Sequence, residues 1–402
     1  MQAIFTDAFL QELATQYGTP LYVYSGDKIA EQYKHLQESF DTKTTRFFYA
    51  CKALTNQQIL RLIRDLGCGI DCSSINEAHM AVRAGFTPDK ILYTSNGIAF
   101  DEIETAVSMG IHINIDSLSN LEKMGVKYGH HYPVGIRLRP NIMAGGNLKI
   151  STGHEQSKFG IPLEQIDEIL QIVHRHNMHI RGLHIHTGSE IKDVKVFMEG
   201  ANLLLDLIDH FPELSCIDLG GGFKVAYRPD ESGTDILQLA EETKSMQDKM
   251  SKLAGRPIEI WFEPGKYLVS ECGYLVARVN VIKENGSTVF AGIDSGFNHL
   301  IRPMFYDAYH HIRNISNPNA PEKIYTITGN ICETDQFAAN RPLPEIKEGD
   351  FLVFFNAGAY GYEMSSSYNA RSRPAQVVHY QGETRLISRR ETLDDLMHLQ
   401  IL

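Results

Sequence analysis

Eight short apolar segments, each followed by a stretch of helical character, constrain this chain more than any other feature. The first is Phe47-Phe48-Tyr49-Ala50, which runs into Cys51-Lys52. The next three end near Ser74, Ser95 and Asp116, after Gly69-Ile70-Asp71-Cys72, Ile91-Leu92-Tyr93-Thr94 and His112-Ile113-Asn114-Ile115. The remaining four are Val134-Gly135-Ile136-Arg137-Leu138-Arg139, Gly182-Leu183-His184-Ile185-His186, Cys216-Ile217-Asp218-Leu219-Gly220 and Ile258-Glu259-Ile260-Trp261-Phe262-Glu263. Between them, Leu163, Ile166, Ile169, Leu170 and Val173 repeat with the helical period, as do Leu203, Leu204, Leu207 and Ile208. Eight strand-helix units in series predict an α/β fold, a (β/α)8 barrel of the TIM type. An open doubly wound sheet is the alternative, but no GxGxxG follows the first strand.

After Pro264 the helical period fades. Runs at 274–281, 288–293, 323–328, 351–355, 376–380 and 384–387 read as strands, predicting an all-β sandwich. Ahead of the barrel, Phe9, Leu10, Leu13 and Tyr17 suit one helix face. Leu21-Tyr22-Val23-Tyr24 then reads as a strand with no place in the barrel, and Ser25 suits a helix cap. The expected division is therefore residues 27–265 as the barrel, with 1–26 and 266–402 as the β-sandwich domain. A chain of 402 residues accommodates two such cores. One connection, 141–162, is long enough to expect a functional or mobile loop.

Composition narrows the function. A net charge of −11 argues against nucleic acid or an anionic membrane as partner. No apolar run would span a bilayer, and Met1 to Leu10 lacks the features of a signal peptide. The six cysteines include no CxxC, so free thiols and a cytoplasmic location are expected, with no metal site.

Barrel active sites lie at the C-terminal ends of the strands. Lys52, Ser74, Ser95, Asp116, Arg139, His186, Gly220 to Gly222 and Glu263 all fall there. A buried strand-end lysine becomes a nucleophile toward carbonyls, although such a side chain can also reach solvent. Gly220-Gly221-Gly222 lets backbone N–H groups approach a phosphate, or simply makes a tight turn. His184 and His186 share one strand face. No carboxylate sits at ligand spacing beside them, so a ring stacked on a flat cofactor is the better use for one. Glu263 could keep a ring nitrogen protonated, or pair with Lys266. Together these groups describe a pyridoxal phosphate site.

Several motifs, in order along nearly the whole chain, resemble the diaminopimelate decarboxylases of the alanine-racemase-like (fold-type III) pyridoxal phosphate enzymes. They are Tyr49-Ala50-Cys51-Lys52-Ala53, Ser157-Lys158-Phe159-Gly160, His184-Ile185-His186-Thr187-Gly188-Ser189, Gly220-Gly221-Gly222, Glu263-Pro264-Gly265-Lys266, the run from His299 to Tyr306, Cys332-Glu333-Thr334 and Gly358-Ala359-Tyr360. The resemblance implies decarboxylation of meso-2,6-diaminopimelate to L-lysine and carbon dioxide, the last step of lysine biosynthesis. It also implies a head-to-tail homodimer with shared sites. By the same resemblance Lys52 carries the cofactor covalently and His186 stacks on its ring. Gly220, Gly221 and Gly222, with the backbone near Gly265 and Lys266, hold the phosphate, and Glu263 pairs with the ring nitrogen. Cys332 is the implied proton donor. Lys266, Arg302, Tyr306, Glu333 and Tyr360 match substrate-binding positions, Tyr360 also lying near the cofactor. Cys332 and Glu333 would reach in from the second subunit. The resembling family has arginine where this chain has Lys266; lysine keeps the charge but loses the bidentate fork. Glu363 is a second departure. A decarboxylase of another amino acid with a polar distal group, a racemase, and a pyridoxal phosphate-binding regulator without turnover are the competing readings.

Overall fold

A computed structural model describes residues 3–141 and 157–401. Most of the 141–162 connection therefore lies outside the described residues. Two compact units emerge: Ala30–Val225 with Ser232–Leu268, and Met1–Ile29 with Ala226–Glu231 and Val269–Leu402.

The first unit is the expected barrel. Its strands are Thr45–Ala50, Gly69–Cys72, Ile91–Thr94, His112–Ile115, Val134–Arg139, Ile180–Ile185, Cys216–Asp218 and Glu259–Phe262. They pair in parallel in chain order, and the eighth returns to the first, with Phe262 opposite Phe47. Alternate residues of each strand point into the barrel, so register sorts its interior into layers. The lower layer is apolar: Phe48, Leu92, Cys216 and Trp261 form one buried cluster. Gly182 leaves room for it, since a Cβ there would lie 2.8 Å from Cys216 Sγ. One step nearer the strand ends the interior turns polar, with Asn114 donating to Thr94 at 3.0 Å and with Asp71, Arg137, His184 and Asp218 all buried.

Local signals explain the helices around it. Ser74 and Ser117 each accept from the third residue of the helix that follows, Ile75–Ala84 and Leu118–Tyr128, satisfying a backbone donor the helix leaves open. Ser74, expected at the site, is thus a helix cap. In Ile166–Arg175 the periodic residues Ile169, Ile172 and Val173 are buried. Leu203 departs from the expected pattern: its helix ends there, the chain tightens into a 3-10 turn at Leu205–His210, and Leu203 faces solvent.

The second unit is built on a nine-stranded mixed sheet among the described residues. Leu21–Ser25 joins it, antiparallel to Gly273–Asn285 and parallel to Ala375–Tyr380. Ser25 Oγ accepts from Lys28 N at 3.1 Å, capping the helix Gly26–Ser39. Helix Asp7–Tyr17 lays Leu10, Leu13 and Ala14 on a core that includes Leu21, Val23, Val353 and Val377. Two strands, Ile312–Asn314 and Gln336–Pro344, were not expected. The second holds Pro342 and Pro344, which a strand tolerates at a sheet edge, where Gln336–Pro344 lies. Leu21→Ala, at a fully buried core position, should cost about 2–5 kcal/mol. A thermal melt checks this against Ile401→Ala at an exposed position; an unchanged midpoint for Leu21→Ala would contradict the core assignment. No helix among the described residues is long and apolar enough to cross a membrane.

Candidate active site

The first barrel strand stops at Ala50, and a single 3-10 turn, Cys51–Ala53, carries Lys52 out over the strand ends. Tyr49 Oη donates to Leu54 O at 3.0 Å and braces this turn from below. The Lys52 side chain is 45% exposed, so it is not the buried lysine expected: the strand ends before it and the turn opens to the barrel mouth. Its Nζ lies 3.5 Å from Asp71 Oδ2 and 3.5 Å from Ser73 Oγ.

Barrel closure brings the two ends of the barrel sequence together here. Ala50 N donates to Pro264 O at 3.3 Å, and a Cβ on Gly265 would come 3.1 Å from that of Ala50. Glu263 N donates to Gly220 O at 2.9 Å, so the Glu263 segment also abuts the glycine turn. That turn has no room for side chains. A Cβ on Gly221 would sit 2.2 Å from Glu263 O, and one on Gly222, at φ +100°, 2.2 Å from Gly188 O. Three residues later than Glu263, Lys266 is buried and bonds Ser189 at 3.2 Å and Glu190 at 2.8 Å. It thereby ties the Glu263-Pro264-Gly265-Lys266 segment to the one following His186.

Beneath Lys52 lies a group of buried charged residues set inside otherwise apolar strands. Asp71, Arg137 and Asp218 are buried with Glu263, each on an inward strand position. Burial, then the charge of Glu263, holds both Asp71 and Asp218 well above the usual carboxylate range. Burial also works to raise Glu263, but the His184 contact, with Lys52 and His186, outweighs it and keeps Glu263 low. Glu263 is thus the carboxylate that carries charge. Its Oε1 is buried with no hydrogen-bond partner among the described residues, although His184 Nε2 stands 3.4 Å away. Burial, then the Arg137 charge, pushes His186 down to about 3, so its ring stays neutral at ordinary pH.

Carboxylates do reach His184: Asp218 and Glu263, from the next two strands, offer oxygens that lie with its ring nitrogen within 4.8 Å of one another. Sequence spacing cannot show this, because parallel strands bring the three residues together across the sheet. A charged residue inside an apolar strand was the available signal for Asp71, Arg137 and Asp218. Arg139, expected at the site, donates to Ser157 O at 3.1 Å, while Arg137 reaches inward and lies 4.7 Å over the Phe159 ring.

The second unit holds the other expected residues. Arg302 is buried, donates to Tyr227 Oη at 2.8 Å and lies 4.8 Å over that ring. Burial raises Tyr306, with the Arg302 charge opposing and Tyr360 adding to it. Tyr360 takes a left-handed backbone, φ 58°. Cys332 is exposed and tied into a small network: its N–H donates to Asn369 Oδ1 at 2.9 Å, Asn369 Nδ2 donates to its Sγ at 3.2 Å, and Sγ lies 3.3 Å from Glu333. Tyr368 Oη donates to Glu333. Glu363 sits in a short turn, Tyr362–Met364, where its charge acts on Tyr22 and Tyr24.

The geometry has the parts a pyridoxal group needs. A buried carboxylate oxygen awaits a donor, a glycine turn excludes every Cβ, and a lysine stands at the mouth. Residues 26–270 match the family described as pyridoxal-dependent decarboxylase, pyridoxal binding domain. The diaminopimelate decarboxylase of Methanothermobacter thermautotrophicus is 41% identical over 400 residues, covering 97% of this chain and 93% of that protein. That of Escherichia coli K12 is 34% identical, covering 98% and 96%. The crystal structure of diaminopimelate decarboxylase from Helicobacter pylori complexed with L-lysine superposes with a TM-score of 0.89 at 31% identity, covering 97% of this chain and 99% of that one. Likeness of this extent runs through both units, and the chain belongs to the diaminopimelate decarboxylase family of pyridoxal-dependent enzymes.

Proposed function

We propose that this protein decarboxylates meso-2,6-diaminopimelate to L-lysine with pyridoxal 5'-phosphate. The observation that carries the reading is Glu263, a buried charged carboxylate with one oxygen lacking a hydrogen-bond partner, set beside the glycine turn. Lys52 would hold the cofactor through its aldehyde group, Gly220 to Gly222 would take its phosphate, His186 would pack against its ring, and Glu263 would keep its ring nitrogen protonated. The bound cofactor supplies an electron sink for the charge left on the α-carbon as carbon dioxide leaves. A neutral His186 suits that role, since it packs without adding a positive charge. Cys332 returns a proton to the α-carbon.

Substrate choice falls to the second unit. Arg302 presents a buried guanidinium suited to the distal carboxylate, and Glu333 a carboxylate suited to the distal ammonium. Tyr306 feels the Arg302 charge, and Lys266 braces the segment proposed to lie nearest the phosphate. Carbon dioxide release should be compared among meso-diaminopimelate, ornithine, lysine and arginine. Release from the first is expected; release only from the other three would overturn the assignment.

The protein acts as a homodimer, with Cys332 and Glu333 of each subunit serving the barrel of the other. Their exposure in the single chain supports this. Mixing Lys52→Ala with Cys332→Ala, each inactive alone, should restore about a quarter of wild-type activity, the yield of random subunit exchange. No recovery after verified exchange would mean that each site is built within one chain.

A further inference from the structure

Asp218 lies in the seventh barrel strand, between the two features meant for opposite ends of the cofactor. Its Oδ1 accepts from Gly220 N at 2.8 Å, which fixes the first residue of the glycine turn. Its Oδ2 is buried and has no hydrogen-bond partner among the described residues, and the same is true of Glu263 Oε1. Oxygens of the two carboxyl groups stand within 4.8 Å of one another. Two buried acceptor oxygens in such neighbouring carboxyl groups are costly unless a proton is shared between them. The groups around Asp218 are Glu263, Asp71, His184 and Arg137, so Arg137 and Lys52 supply two positive charges against three carboxyl groups.

We propose that Asp218 is a positioning residue: one of its oxygens accepts the Gly220 N–H while the other shares a proton with Glu263. The carboxylate for the ring nitrogen and the turn for the phosphate are thereby held at a set separation. One Asp218 carboxyl group spans both, so a shift at either end is felt at the other. The arrangement requires Asp218 to be a neutral acid. Glu263 keeps its charge, and its Oε1, with two lone pairs, can take the Asp218 proton and still accept from the ring nitrogen. This inference rests on the proposed role of Glu263.

Asp218→Asn and Asp218→Ala separate this role from simple packing. Asparagine keeps a donor toward Glu263 and an acceptor toward Gly220, whereas alanine has neither. Asp218→Ala should weaken pyridoxal phosphate binding by about tenfold or more, as expected for a lost hydrogen bond to a charged group. Asp218→Asn should recover most of that loss. Binding is read by titrating folded apoprotein, with a thermal melt as the check on folding. In the infrared spectrum of the apoprotein, a buried protonated carboxyl band should be present and should lose intensity in Asp218→Asn. An asparagine variant as weak as the alanine one, with that band unchanged, would overturn the proposal by showing that a charged Asp218 is needed. So would unaltered cofactor binding in Asp218→Ala. Failure of the underlying reading shows elsewhere: Glu263→Gln with wild-type turnover removes the ring-nitrogen assignment, whatever the Asp218 variants do.

Discussion

Lys52→Ala is expected to lower decarboxylation by a factor on the order of 10⁴ or more, the scale of loss when a covalent catalytic group is removed. Position makes Lys52 the candidate. It stands on a one-turn lip above the barrel, half exposed, with Asp71 and Ser73 3.5 Å from its amine. Borohydride reduction of the loaded wild-type protein should fix the cofactor to the peptide containing Lys52, and mass analysis would show it there. Reduced cofactor on any other lysine would remove Lys52 from its role. The substitution should leave the melting temperature of the apoprotein nearly unchanged, because an exposed side chain with weak contacts contributes little to folding.

Glu263→Gln is the second large effect, expected on the order of 10² to 10³ in kcat, as for the loss of one preorganised electrostatic group. Glutamine has nearly the same shape, so the glycine turn and the Ala50–Pro264 contact should survive. What is lost is the charge that Glu263 retains while burial holds Asp71 and Asp218 above the usual carboxylate range. With a neutral amide the ring nitrogen has no anion to keep its proton, and the electron sink is shallower. The effect should fall mainly on kcat rather than KM, because the role proposed for Glu263 is toward the cofactor and not the substrate. A loss of less than about threefold would mean that another group holds the ring nitrogen.

The barrel was legible because its signal is redundant. Eight apolar segments and the helical periods between them agree, and one unclear element does not spoil the count. The candidate site was legible where a residue follows a strand end, as Lys52, His186 and Glu263 do. It was less so one layer down. Asp71, Arg137 and Asp218 sit inside segments that are otherwise apolar, and neighbours such as Ile70, Ile136 and Ile217 dominate the pattern. Their meeting depends on strand register, which places His184 opposite Asp218 and Arg137 opposite His184. Strand Gln336–Pro344 was missed for another reason: its two prolines signal a break unless the strand is known to lie on an edge.

The bond from Ala50 N to Pro264 O has a consequence for the order of events during synthesis. Lys52 and Glu263 follow the first and last strands of the barrel, so nearly all of its sequence must leave the ribosome before both face the same space. No earlier length of chain has both of these residues, which are proposed to hold the cofactor. Pyridoxal phosphate therefore favours only chains that have closed the ring, and it stabilises them by mass action over open or misregistered forms. Capture of the cofactor reports that the barrel is complete before any substrate is turned over.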